Sequence, residues 1–300
     1  MSLSKTILLF ISVASISINA SAQQPAADTA DLMSQLENET SANKTEYTKA
    51  TFKTTRLVNG HTVETLGKGV LDVKISHRFG KLNDGAYQLF GLDNATMRMG
   101  LDYGISDNVM IGLGRSTYQK TFDAFIKFKL LRQSTGAKNV PFTIDYIPTV
   151  ALVSLRYNPK IPFKHRVYYS HQLLIGRKFS EGFSLQLMPT LVHRNMTAFN
   201  SDPNDTWAIG IGGRQKLSKR ISLNAEYYYQ LPGTKIAGSV NSLSFGFDIE
   251  TGGHVFQLHF TNSTGMTEKT FISETTGKWG KGDILFGFNI ARVFNIGKHK

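Results

Sequence analysis

The chain has no cysteine in its 300 residues. That excludes disulfide scaffolds, thiolate metal sites, cysteine nucleophiles and a lipid-modified N-terminal cysteine. Proline is scarce, 8 residues against 27 glycines, which leaves room for long uninterrupted strands. Beyond the N-terminus no run approaches the roughly 18 apolar residues of a transmembrane helix. Yet 41% of the residues are hydrophobic, more than a disordered chain carries. Acidic residues are outnumbered, 22 against 34 basic ones, and the formal charge is +12. Such an excess points to an anionic neighbour. No Gly-rich phosphate loop, H-E-x-x-H or paired-carboxylate spacing stands out. No catalytic group, metal site or cofactor is therefore read, and the chain is not expected to be an enzyme.

The first 22 residues have the form of an export signal. Lys5 supplies a short positive region, Thr6 to Ile18 are uncharged and mostly apolar, and Ala20-Ser21-Ala22 offers small residues for cleavage before Gln23. The apolar run is too short to span a bilayer. Export makes nucleic acid an unsuitable partner and leaves a membrane surface as the anionic neighbour.

Residues 23–66 are mostly irregular, with a weak helical pattern over Asp31–Glu39 and a Thr-rich stretch over 46–66 that can hold one irregular strand. From about residue 67 the pattern alternates with period two. In Leu71–Phe79 the odd positions are apolar apart from His77, and the even ones are Asp72, Lys74, Ser76 and Arg78. Met97–Tyr103, Ala124–Leu130, Phe183–Leu187, Ile221–Tyr227 and Leu243–Ile249 repeat the scheme. Strands are expected at 69–79, 94–103, 108–117, 121–132, 141–154, 164–178, 182–194, 206–216, 220–230, 241–250, 254–262 and 282–294. Most have about the length a tilted membrane strand needs. The third, fifth and eleventh alternate less cleanly, and Pro148 and Pro189 inside strands predict bulges.

The connections carry a second signal. Gly104–Asn108, Phe179–Gly182, Leu217–Arg220 and Glu250–Gly253 are short turns of Gly, Ser and Asn/Asp type. The connections between strands 1–2, 7–8, 9–10 and 11–12 are much longer. Alternating turns and long loops is the layout of an outer-membrane barrel. Three junctions fit poorly: 3–4 is short for a loop, Gln133–Val140 is long for a turn, and the short 6–7 turn leaves 5–6 as its external neighbour only if 155–163 counts as a loop. The phase opposite the apolar one is rich in charge, and Arg98, Lys127, Lys129, Asp102 and Asp248 are expected to face the lumen. Aromatics such as Phe79, Tyr103, Tyr169, Trp207, Tyr227 and Tyr229 fall mostly near strand ends, as interfacial girdles do. A soluble sandwich would alternate too, but export, the loop pattern and the aromatics together favour a barrel.

The segments Phe245–Ser263, Gly287–Phe294, Lys68–Gly80 and Gly91–Thr96 resemble an uncharacterised outer-membrane β-barrel family of Bacteroidota, over about residue 50 to the end. The resemblance implies architecture and location only, because that family carries no assigned activity.

Three His-Arg pairs, His77-Arg78, His165-Arg166 and His193-Arg194, fall at the external rim if the mature chain starts in the periplasm. Each places Arg in the lumen phase, where it can hold an anionic ligand or a lipopolysaccharide phosphate. The plainer alternative is that they are ordinary interfacial residues. His165 and His193 approach across strands 6 and 7, but no carboxylate is phased beside them for a metal. His171 falls near Pro189–Leu191 with no outward serine at hand, which argues against a membrane-lipid hydrolase.

The expected architecture is thus an all-β, up-and-down antiparallel transmembrane barrel of about twelve strands over 67–300, preceded by a signal (1–22) and a segment (23–66) lying in the lumen or periplasm. The expected role is a narrow channel or a small-molecule- or lipid-handling barrel in the outer membrane, with outer-membrane lipid and lipopolysaccharide as neighbours. The alternative is a non-conducting barrel that docks partners through its external loops.

Overall fold

The computed structural model describes residues 44–297 together with Met33 and Ser34. The stretch at 1–22 that reads as an export signal and most of the helical pattern at Asp31–Glu39 lie outside the described residues. The chain divides into two units, Met1–Lys44 and Thr45–Lys300. In the first, Met33 and Ser34 are helical and exposed.

The second unit is a closed antiparallel barrel of twelve strands: β1 Val70–Lys81, β2 Ala95–Ser106, β3 Val109–Ser116, β4 Thr121–Leu131, β5 Thr143–Val153, β6 Val167–Lys178, β7 Phe183–Arg194, β8 Asp205–Lys216, β9 Ile221–Gln230, β10 Ser242–Thr251, β11 His254–Thr261 and β12 Leu285–Asn295. Each strand pairs with its sequence neighbours, and β12 closes the ring on β1, with Ile290 opposite Ile75. Closure removes both sheet edges, which a barrel in hydrocarbon requires. Among the described residues no helix is long and apolar enough to cross a membrane.

Polarity is inverted relative to a soluble β-protein. The outer wall exposes Met99, Leu101, Leu113, Ile126, Leu187, Ile209, Ile211 and Phe247, whereas Asp72, Arg98, Asp102, Asp123, Lys127, Glu226 and Asp248 are buried inside. Tyr169, Trp207 and Tyr229 are also exposed, close to strand ends.

At one end the strands are joined mostly by tight turns (107–108, 179–182, 217–220 and 252–253). The other end carries the segments 82–94, 154–166, 195–204, 231–241 and 262–284. We refer to these as the turn end and the loop end. The short 3–4 junction is real: residues 117–120 close it with a single 3-10 turn. The long 4–5 junction at the turn end also has a reason. Its residues Ser134–Gly136 form a small antiparallel pair with Thr45–Tyr47, where the N-terminal segment meets the barrel.

The bulges expected at Pro148 and Pro189 do not form. Pro148 stays in register opposite His171, and Pro189 opposite Ile209. On its other side each ladder skips two pairs without slipping, from Phe125–Thr149 to Phe128–Tyr146 and from Gln172–Thr190 to Ile175–Leu187. In an antiparallel ladder a residue's N–H is aimed at one neighbour only, so a proline costs bonds on one side and leaves the other intact. Register shifts occur instead at Leu285/Gly287, Gly104/Ser106 and Lys129/Leu131.

Candidate functional site: the occupied lumen

The lumen is filled by the chain's own segments, one from each end. From the turn end, residues 48–66 rise into the barrel, reverse and return to start β1. The reversal is a tight hairpin: Leu57 N–H donates to Gly60 O (2.8 Å), Thr62 N–H to Thr55 O (3.0 Å), and Arg56 bridges His61. From the loop end, the 262–284 connection turns inward, and Met266 to Ser273 are buried. Residues Lys269–Ser273 form one π-helical turn.

A hairpin tip in a lumen has backbone donors and acceptors that no sheet neighbour satisfies. Polar side chains of the wall meet that requirement. The Glu226 carboxylate accepts three consecutive amides at the tip, from Val58 (3.3 Å), Asn59 (2.8 Å) and Gly60 (3.0 Å). Gln257 Nε2 donates to Leu57 O (2.8 Å), Asn289 Nδ2 to Val58 O (3.0 Å) and Gln186 Nε2 to His61 O (2.6 Å). Lys127 Nζ donates to Thr62 O (2.8 Å) and Glu64 O (2.9 Å). Arg78 Nη2 donates to Asn59 Oδ1 (2.9 Å).

Apolar contacts accompany these bonds. Phe52, Leu57, Val63 and Leu66 of the N-terminal plug and Phe271 and Ile272 of the inserted loop form one cluster with the inward Met110, Phe125, Ile147, Leu174, Met188, Val192, Ala208 and Tyr228 of the wall. Each fully buried Leu or Phe contributes about 1.5–3 kcal/mol relative to exposure. The wall makes room with glycine. A Cβ on Gly212 would lie 2.5 Å from Leu57 Cδ2, and one on Gly176 would lie 2.7 Å from Val63 Cγ2. The two lumenal segments also meet directly, since Arg56 Nη1 donates to Glu268 Oε1 at 2.8 Å and His61 Nε2 lies 3.4 Å from the same oxygen. Phe271 packs edge-on against Tyr228, with ring centroids 5.2 Å apart.

Much of the remaining lumen charge is matched within the wall. Lys74 pairs with Asp72 (2.8 Å) and with Asp102, and Arg98 makes a bidentate pair with Asp123. Asp248 accepts from Gln257 Nε2 at 2.8 Å. Lys129 points inward near the turn end and is half-buried. Asp145 is not matched: both carboxyl oxygens are buried with no hydrogen-bond donor among the described residues.

The three His-Arg pairs separate into two groups. His165 Nδ1 lies 3.5 Å from Asn195 O, and His193 Nε2 is hydrogen-bonded to Asn195 Oδ1 at 3.1 Å, so those two pairs converge at the loop end of β6 and β7. Arg194 donates to Pro203 O (2.7 Å) and Thr206 Oγ1 (2.9 Å), and Arg166 to Val153 O (3.3 Å). A carboxylate does stand beside His193: Asp205, opposite it in register, is hydrogen-bonded to Nδ1 at 2.6 Å. Among the described residues no group of three His, Asp or Glu is placed to hold a metal. Arg78 stands apart, buried against the plug tip and Asn289, while His77 stacks on Phe288 on the outer wall. His171 faces outward, hydrogen-bonded to Tyr146 Oη at 2.7 Å and opposite Leu191.

Sequence reading did not single out Arg56, Asn59 or Glu268. Their signal was indirect. The unclean alternation of β3 and β5 comes from inward Met110 and Ile147, which a water-filled lumen would not want and an apolar plug does.

No curated protein matches the chain. Among solved structures it is similar to the NanC porin (8% identity, 76% of this chain and 100% of that one, TM-score 0.45) and to the KdgM porin (7%, 77% and 99%, TM-score 0.45). It is also similar to the COG4313 outer membrane channel from Pseudomonas putida F1 (12%, 77% and 98%, TM-score 0.47). The family described as membrane bound beta barrel domain (DUF5777) matches residues 52–294, from the plug through the twelfth strand, and the chain belongs to that family.

Proposed function

We propose that the chain is an outer-membrane barrel, exported by the signal at 1–22, which does not conduct in its resting state and works by binding at its ends. The observation that carries this reading is the meeting of two lumenal segments in one apolar cluster, tied by Arg56 and Glu268. A hydrated ion needs a continuous polar path. Two cavities, of about 270 and 340 Å³, lie at the turn end, lined by Gly253 and His254 in one and by Asp107 and Arg132 in the other. Deeper in, the voids beside Arg56 and beside Glu268 hold about 10 Å³ each, roughly one water. In this reading His165, Arg166 and His193 form a loop-end surface for anionic groups such as lipopolysaccharide phosphates, braced from below by the buried Arg194, and Arg78 belongs to the seat of the plug.

One observation favours a second reading, a narrow channel that opens on demand. The plug enters and leaves by the same end, so it can withdraw without threading the chain through the barrel. Planar-bilayer recording of the purified mature protein separates the two. The first predicts silence from the wild type and from Glu268→Gln. Steady conductance in the wild type at low voltage would refute it, and openings that appear on weakening the Arg56–Glu268 contact would establish the second.

A further inference from the structure

We propose that the larger turn-end cavity is a binding site for a small hydroxylated anion, a phosphate- or carboxylate-bearing polyol. The cavity, of about 340 Å³, is lined by the plug segment on one side and by β4, β5 and the 107–108 turn on the other. That volume is at the lower end of the range of small-molecule pockets, roughly 300–1,000 Å³.

Its charges differ from those of the neighbouring cavity. Three cations border it, Lys49, Lys129 and Arg132. None forms an ion pair among the described residues, and Arg132 only lies over the Tyr47 ring, 4.8 Å from its centroid. Asp145 is opposite Lys129 in register but does not reach it as an ion pair. The two carboxylates of the cavity are each engaged by backbone: Glu64 Oε1 accepts from Phe52 N–H (3.1 Å), and Asp107 Oδ1 from Lys68 N–H (3.3 Å). Three unpaired cations therefore face a cup whose acids are partly spent. Hydroxyls complete the lining. Thr48 and Thr51 border the cup, and their side chains make no hydrogen bond among the described residues, which suits a ligand that carries hydroxyls as well as charge.

The neighbouring cavity shows the contrast. Its Lys53 is paired with Glu250, and its Asp72 with Lys74. Both cavities share Glu64 and Thr65, so the plug strand divides one vestibule into a charge-matched cup and a cationic one. Charge-assisted hydrogen bonds from such cations are the stronger class.

The ligand chemistry has two sources, a soluble metabolite or the glycerol phosphate headgroup of a membrane lipid. The test titrates glycerol 3-phosphate into the full-length protein in zwitterionic detergent by calorimetry. Saturable binding is expected, weakened at least about tenfold in the Lys49→Gln/Lys129→Gln/Arg132→Gln variant and unchanged in Lys53→Gln, which alters the other cup. Heat-modifiable gel migration checks that each variant is folded. If the triple variant does not assemble, Lys49→Glu, at an exposed position, must by itself weaken binding. Absence of saturable binding up to about 10 mM, or affinity unchanged by these substitutions, overturns the proposal. Competition by phosphatidylglycerol vesicles but not phosphatidylcholine vesicles assigns the headgroup as the source, and no competition assigns the soluble anion; both support the cup. Conductance plays no part in this readout, so the outcome is independent of whether the lumen opens.

Discussion

Replacing Glu226 by alanine should loosen the plug tip without dissolving the barrel. The carboxylate accepts the amides of Val58, Asn59 and Gly60. The substitution leaves three buried donors without an acceptor, at about 1–3 kcal/mol each when nothing replaces the bond. Water admitted into the space left by the side chain recovers part of that, so a net shift of about 3 kcal/mol in the local opening equilibrium is a reasonable expectation. The twelve strands keep their ladders, and the effect is confined to the plug. Because the chain has no cysteine, a single Val58→Cys places the only thiol at the tip, where Val58 is 4% exposed. Its labelling by a charged thiol reagent then reports opening. Added to that background, Glu226→Ala should accelerate labelling by roughly 100-fold, and Glu226→Gln, which keeps one acceptor oxygen, by less. Labelling unchanged within about twofold would show that the three amides are not what holds the tip.

Other expectations follow from the wall and the loops. Leu101→Arg or Phe247→Arg, both outward, should each cost on the order of 2–4 kcal/mol near the midplane and reduce the heat-modifiable folded band, whereas Asp248→Asn, inward, should assemble normally. Gly212→Val should collide with Leu57 and speed Val58→Cys labelling, with the barrel's band pattern kept. Asp283, in the loop before β12, is held down to about 2, first by the Lys278 backbone amide and then by Asn83 and Lys81. A carboxylate whose folded value is depressed stabilises above its unfolded value and loses that as pH falls toward 2, so the 82–84 to 278–283 contact should persist at pH 4 and loosen below about 2, measured by amide exchange of the loop.

The barrel was legible because its physics is local. A strand with lipid on one side and polar groups on the other must alternate with period two, and Leu71–Phe79, apart from His77, and Met97–Tyr103 do so. The contacts of the plug were not legible, because they are long-range. Nothing near Glu226 in sequence shows that its acceptors serve amides some 166–168 residues away. The 46–66 stretch reads as an irregular Thr-rich strand since its donors and acceptors are met by side chains of the wall, which leave no periodic trace. The proline bulges failed for a similar reason: the cost of a missing N–H depends on which neighbour it faces, and sequence does not show that.

The irregularities of the alternation nevertheless carried information. In a water-filled lumen every inward position should be polar or small, so inward Met110, Phe125, Ile147, Leu174 and Met188 would be errors of phase. All five lie in the one buried cluster that the plug and the inserted loop share. Their apolar character follows from the cluster they share with Leu57 and Val63 from the turn end and with Phe271 and Ile272 from the loop end. The charged inward residues sort by the same logic. Arg78, Lys127 and Glu226 bond the backbone or side chains of the plug, Arg98 sits in an ion pair with a carboxylate of the wall, and Lys74 does both, pairing with Asp72 and Asp102 and donating to Thr55 Oγ1. A barrel that evolved only to pass ions would need neither the apolar cluster nor carboxylates spent on backbone amides. The inward face of these strands is therefore shaped to folded segments of the same chain.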